Sequence, residues 1–165
     1  MEHLTSNICP ESKEDQMANQ QHLQLIESGV EAINAFAAEH SDVTIDLSGV
    51  DLSGRNLRGL RLQGANLEGA SLERCDLQRA LLNGANLRKA NLRGADCSGA
   101  SFHRASFEGA DLRDVRFEDE FPPRLCIHES SFDGVRWSRE RIEQYLAILN
   151  RNQDWEVRWE IVARG

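Results

Sequence analysis

The residues with chemical potential in this chain do not assemble into a reactive set. His103 lies between Phe102 and Arg104, with Ser101 and Ser106 close in sequence. A serine beside a histidine is the raw material of nucleophilic catalysis, but a third group must orient the imidazole. No acid is placed by spacing to do so, and His103 is read as an outward-facing surface residue. His3, His22, His40 and His128 are scattered, so no metal-ligand spacing arises. Of the four cysteines, Cys75 and Cys97 stand at inward repeat positions, Cys9 lies near the N-terminus, and no C-x-x-C occurs. Glycines recur at Gly49, Gly54, Gly59, Gly64, Gly69, Gly84, Gly94, Gly99 and Gly109, yet form neither G-x-G-x-x-G nor a phosphate loop. The expectation is a chain that is not an enzyme and takes no cofactor or metal.

The same residues make sense as parts of a repeat. Fifteen consecutive pentapeptides run from Ile45 to Asp119, centred on Leu47, Leu52, Leu57 and so on through Leu92, then Cys97, Phe102, Phe107, Leu112 and Phe117. Two residues before most centres stands a small side chain, such as Ala65, Ala70, Cys75, Ala80 or Ala85. A period of five would spread leucines all round a helix and alternate them across a strand. The chain must therefore turn regularly and point one position inward each time, which is a solenoid. Arg55 departs from the rule at an inward position, which a distorted first coil or an interior open toward its cap would accommodate. Leu81 departs the other way, an apolar residue at a normally solvated position and a candidate contact point.

Segments such as Ala65-Asn66-Leu67-Glu68-Gly69, Ala90-Asn91-Leu92-Arg93-Gly94 and Ala110-Asp111-Leu112-Arg113-Asp114 resemble the pentapeptide-repeat family, whose pattern is A(D/N)LxG. The resemblance covers about half of the chain. It implies an all-β solenoid, a right-handed quadrilateral β-helix with four pentapeptides per coil, and hence nearly four coils. It also places Cys75 and Cys97 on one face in neighbouring coils, where a disulfide is conceivable but thiols are expected in a reducing compartment.

A solenoid has open ends that need covering. Residues 1–18 are polar and charged and are read as a disordered tail. Over 19–40, Leu23, Ile26, Val30, Ile33 and Ala37 recur at helical spacing, which predicts a single amphipathic cap helix. The β-helix is assigned to 45–137 with a loop inserted at 120–129, where Pro122 and Pro123 supply no N–H to a ladder. Residues 138–165 are assigned to a C-terminal cap helix, begun by Ser138, and a strand in which Trp155, Val157, Trp159 and Ile161 alternate. Helix is the rival reading of that last stretch, because the two tryptophans are also four apart.

Charge bounds the partners. The net charge is −8, yet the repeat run balances its acids and bases, and most of the excess lies before it. Within the run, residues 85–104 read as a basic band, followed by an acidic end over 105–119. The N-terminal helix has Glu27, Glu31 and Glu39 and no basic fringe, which argues against a membrane surface. No basic region followed by an apolar stretch opens the chain, so a cytoplasmic location is expected. The resemblance implies one further activity, binding of type II topoisomerases such as gyrase by mimicry of DNA. Mimicry needs a sustained negative surface, and a neutral rod interrupted by arginines does not supply it. Nucleic-acid binding is opposed by the overall charge. The leading reading is a protein-binding scaffold or adaptor with an unidentified protein partner. Its candidate contacts are Leu81, Arg88, Lys89, Arg93, Arg104, Pro122, Pro123, Trp155 and Trp159. The resemblance adds a homodimer through the C-terminal segment.

Overall fold

The computed structural model describes residues 13–117 and 135–136, with side chains described from residue 20 onward. From Ile45 the backbone repeats one unit. The residue before each centre forms a parallel bridge to the residue twenty positions later: Asp46 to Asn66, Asn66 to Asn86, Asn86 to Ser106. A step of twenty is four pentapeptides, so each coil has four sides. The bridging is carried by backbone bonds such as Leu67 N–H to Asn86 C=O at 2.8 Å and Asn86 N–H to Ala65 C=O at 2.9 Å. Each coil therefore lies about 4.8 Å from the next, the spacing of hydrogen-bonded strands.

Each side ends in a tight turn. Val50 N–H reaches Leu47 C=O at 3.3 Å, and Gly49 between them has φ of 65°. A positive φ at the third turn residue defines a type II turn, which explains the glycine at the end of most repeats. Arg74, Arg79, Lys89, Arg104 and Asp114 occupy that position instead and take φ of 55–61°.

The centre residues point inward, none more than 3% exposed, and the alanines beside them are equally buried. Toward the last coil, Phe102 meets Phe107 edge-on at 5.2 Å and Phe117 at 6.4 Å, so aromatic rings fill the interior there. Cys75 and Cys97 are buried thiols with no disulfide between them. The Cys75 thiol donates to Leu52 C=O at 2.9 Å.

Ahead of the coils stand α1, Lys13–Glu27, and α2, Val30–Glu39. The single helix expected over 19–40 is thus two, and the expected tail of 1–18 is helical from Lys13. Gly29 breaks the run, with φ of 119° and ψ of 165°, a conformation closed to most side chains. On the other side, residues such as Lys13, Glu14, Gln16 and Ala18 are good helix formers and let α1 start early. Ile26 of α1 and Ile33 of α2 are buried in the same core as Ile45, Leu47 and Leu60. In the first coil the small position is filled by Ile45, Val50 and Leu60, the larger side chains meeting the helices. Arg55, the fourth residue of that set, does not point into the interior. It is half-buried, and its guanidinium lies 3.8 Å from the Glu27 carboxylate of α1.

After Phe117 the described chain resumes at Val135 and Arg136, where Arg136 bridges Asp111. That step is twenty-five residues in place of twenty, so the segment between is one pentapeptide longer than a regular passage. The expected loop with Pro122 and Pro123, the C-terminal helix and the stretch with Trp155 and Trp159 lie outside the described residues.

Candidate interaction surface

Two side chains tie the helices to the first coil. A coil normally takes backbone bonds from the one before it, and the first has none, so its N–H groups need other acceptors. Asn34 of α2 meets this need on one side. Its carbonyl oxygen accepts from Arg61 N–H at 2.8 Å, and its amide nitrogen donates to Gly59 C=O at 3.0 Å. His22 of α1 does so on another, its Nδ1 accepting from Asp46 N–H at 3.1 Å. His22 is 2% exposed and meets Phe36 edge-on. Burial lowers its pKa from the ordinary imidazole value, against the opposing charge of the Asp46 carboxylate. Neither residue stood out in the sequence. The signal was there in principle: polar residues flanking the buried stripe of a helix that covers unpaired backbone.

The four sides can be followed from repeat to repeat. On the first three, an Asp or Asn before the centre turns its oxygen back onto the N–H two residues on, as in Ser48 N–H to Asp46 Oδ1 at 2.9 Å and Glu68 N–H to Asn66 Oδ1 at 3.2 Å, whereas the fourth has Arg61, Leu81 and Ser101 at that position. These are Asx turns that fix the corner. On the first side the spare amide hydrogens link successive coils, Asn66 to Asp46 and Asn86 to Asn66, both at 3.1 Å.

Charges on the first two sides pair between coils. Arg88 meets Glu108 at 2.7 Å, Lys89 meets Glu68 at 3.4 Å, and Arg93 meets Asp114 at 3.6 Å. Arg113 grips Asp111 through Nε at 2.8 Å and Nη2 at 2.5 Å, with Arg136 3.7 Å away. The Arg113 guanidinium holds the Asp111 carboxyl below the usual carboxylate range. Such exposed pairs are each worth only about 0.2–1 kcal/mol. Their larger effect is to cancel charge locally.

The register also separates the residues that looked like a basic band. Residues 85–104 are one full coil, so their cations are distributed round the rod. Arg88 and Lys89 lie on the first side, Arg93 on the second and Arg104 on the fourth, while Arg79 stands at the corner where the fourth side begins. Leu81 lies on the fourth side, bridged to Arg61 below and Ser101 above, and is half-buried where the sequence suggested full exposure. Pro122, Pro123, Trp155 and Trp159 are outside the described residues.

The potential nucleophile is engaged elsewhere. Ser101 Oγ donates to Asn83 Oδ1 at 2.5 Å, and the same oxygen accepts from His103 N–H at 3.0 Å. Ser106 belongs to the neighbouring side. Burial pushes the Cys97 thiol well above the ordinary range and raises Cys75 as well, which disfavours the reactive thiolate. Among the described residues, no group of three His, Cys, Asp or Glu side chains stands close enough to hold a metal. No described helix is long and apolar enough to cross a membrane.

The rod is filled, so open space occurs at its junction with α2. A cleft of about 430 Å³ is lined by Asn34, Ala35, Ala37, Ala38, Arg61 and Gln63. An adjoining one of about 200 Å³ reaches Val43 and Leu62.

Comparison with known proteins follows the repeat. A sequence model described as pentapeptide repeats matches in eight copies, over residues 45–84 and 80–119. Among solved structures, the chain is similar to a pentapeptide-repeat protein of the Arabidopsis thaliana thylakoid lumen. That match has 30% identity and a TM-score of 0.37, and covers 61% of this chain and 73% of the other. It is also similar to the pentapeptide-repeat protein Rfr23 of the cyanobacterium Cyanothece 51142, at 31% identity and a TM-score of 0.30, covering 58% and 61%. A third is QnrB1, a plasmid-mediated fluoroquinolone resistance protein, at 19% identity and a TM-score of 0.32, covering 64% and 65%. The chain thus spans less than two thirds of the latter two. No curated protein matches it.

Proposed function

The chain belongs to the pentapeptide-repeat family, and from that premise we propose that it is a non-enzymatic scaffold that binds a protein partner on the side of its rod. The observation that carries this reading is the construction of the sides. The interior is filled by side chains no more than 3% exposed at the centre positions. The outward positions are held by Asx turns on three sides and by bonds between coils on all four, the fourth through pairs such as Leu81 N–H to Leu60 C=O and Ser101 Oγ to Asn83 Oδ1. A partner therefore meets polar groups at fixed heights and gives up little of their freedom on binding. In this reading α1 and α2 cap the first coil, satisfying the N–H groups of Asp46 and Arg61 through His22 and Asn34. The tryptophans at 155 and 159 are proposed as a second contact, through which two copies associate.

The DNA-mimic reading has less support. Glu68, Glu108 and Asp114 on the first two sides stand against Lys89, Arg88 and Arg93 in an adjacent coil, which breaks the run of negative charge that mimicry needs. The likeness to QnrB1 is one of fold alone.

Immobilised protein tests the scaffold directly. The folded chain should retain a discrete protein species that is lost with Leu77→Arg, which places a charge in the filled interior where Leu77 is fully buried. Gyrase supercoiling, with or without a quinolone, should be unchanged by added protein. Absence of any species specific to the folded chain would remove the scaffold reading. Dose-dependent inhibition of supercoiling, or its protection from the quinolone, would replace it with mimicry.

A further inference from the structure

We propose that the fourth side of the rod, together with the cleft beneath α2, is the docking surface, and that its occupant is an extended acidic segment of a partner protein carrying a small apolar side chain. The inference deepens the scaffold reading and rests on it.

The first argument is charge. In the three described coils the fourth side consists of residues 60–64, 80–84 and 100–104, and contains no Asp or Glu. Each of the other three sides carries at least two acids. Arg61 lies on the fourth side and Arg79 at its leading corner, both exposed. Among the described residues neither makes an ion pair, whereas Arg88, Lys89 and Arg93 all do. Two uncancelled guanidiniums flanking an acid-free surface complement carboxylates.

The second argument is shape. The fourth side runs into the cleft beside Arg61 and Gln63, whose opposite wall is Ala35, Ala37 and Ala38 of α2. Beside it stands Val43, 40% exposed, the exposed large hydrophobic residue among those described. A short aliphatic side chain fits that alanine-lined wall, and Val43 and half-buried Leu81 extend the apolar contact along the side. Arg61 and Leu81 occupy adjacent coils, about 4.8 Å apart, against a rise of about 3.3 Å per residue in an extended chain. A few residues of partner backbone therefore span from the cleft past Leu81. A protein segment is favoured over nucleic acid, because the surface pairs its cations with an alanine-lined apolar wall that a phosphate backbone does not fill.

The test uses a fluorescein-labelled octapeptide of glutamates with one central valine, read by anisotropy at low salt. Its all-lysine counterpart and a single-stranded oligonucleotide of equal charge serve as the other probes. The full chain should bind the acidic peptide in preference to both. Arg61→Gln with Arg79→Asn should weaken binding about tenfold, about 1.4 kcal/mol shared between two exposed pairs. The asparagine keeps a side chain that tolerates the left-handed corner. Val43→Glu, on the exposed loop ahead of the first coil, should weaken it as well without touching the rod. Arg88→Gln with Arg93→Gln, on the first two sides, should leave it unchanged.

Equal weakening by both arginine pairs, tighter binding of the oligonucleotide, or no binding of the acidic peptide by the folded chain would overturn the assignment. Circular dichroism of each variant separates lost folding from lost contact. If the immobilised chain retains its protein species while Arg61→Gln with Arg79→Asn still retains it, the scaffold reading stands and this surface falls. If no species is retained at all, the scaffold reading falls first.

Discussion

Two single residues, Asn34 and His22, do work that their types do not advertise. Each supplies an acceptor to a backbone N–H that the first coil would otherwise leave unpaired, part-buried at Asp46 and exposed at Arg61. Stranding the part-buried Asp46 N–H costs about 1–3 kcal/mol, whereas the exposed Arg61 N–H can turn to water and loses only the net bond, about 0.5–1.5 kcal/mol. Asn34→Ala, which loses the bonds to Arg61 and Gly59, should lower the unfolding free energy by about 1–2 kcal/mol in a urea titration, and a change within error would assign those bonds no structural weight. His22 adds a pH dependence. Its folded pKa lies below the ordinary value of about 6.5 because burial disfavours the imidazolium. The unfolded chain therefore binds the proton first. His22's contribution is complete above pH about 6.5 and is lost as pH falls from there toward the folded value. Acidification through that window should lower the thermal midpoint of the wild type more than that of His22→Gln. An equal fall in both would place the sensitivity elsewhere. These two residues were not legible in advance, because their importance depends on which coil is first and what lies over it.

At the scale of elements, the five-residue period was fully legible. It predicts an inward centre, a small neighbour and a turn, and all three follow from packing and from the type II corner. The break between α1 and α2 was less so. The apolar stripe continues across Gly29, and only the backbone at that residue stops the helix. The basic band illustrates a different limit. Nearness in sequence is not nearness in space when one coil takes twenty residues, so Arg88, Arg93 and Arg104 part company while Arg61 and Leu81, twenty apart, become neighbours. Arg79 sits at a corner where most repeats have glycine, with φ of 60°. A side chain in the left-handed region costs about 1–2 kcal/mol, against about 0.5–1 kcal/mol of extra chain entropy lost by glycine. Arg79→Gly should therefore leave stability unchanged or raise it by up to about 1 kcal/mol, while weakening the acidic peptide. A clear loss of stability would mean that Arg79 supports the rod and is not held there for binding.

For the whole molecule, the sequence made the architecture plain and the function only partly so. Most leucines, alanines and glycines are used up in building the rod, and several of the outward charges on the first two sides cancel one another across coils. What distinguishes one side from another is an absence, the lack of acids on the fourth, and absences emerge only once the chain is wound into its register. Leu81 and Arg104 were picked from the sequence and do lie on that side, but Arg61, Arg79 and Val43 join them through the fold alone. The central claim is that a protein partner approaches from that direction. The most direct measurement is photo-cross-linking in a lysate from a benzophenone amino acid placed in turn at Ser48, Ser53, Arg58 and Gln63, which report the four sides of one coil at one height. The prediction is a discrete cross-linked protein from Gln63 that is weak or missing from Ser48 and Ser53. No discrete product from any position, or the same products from all four, would contradict it.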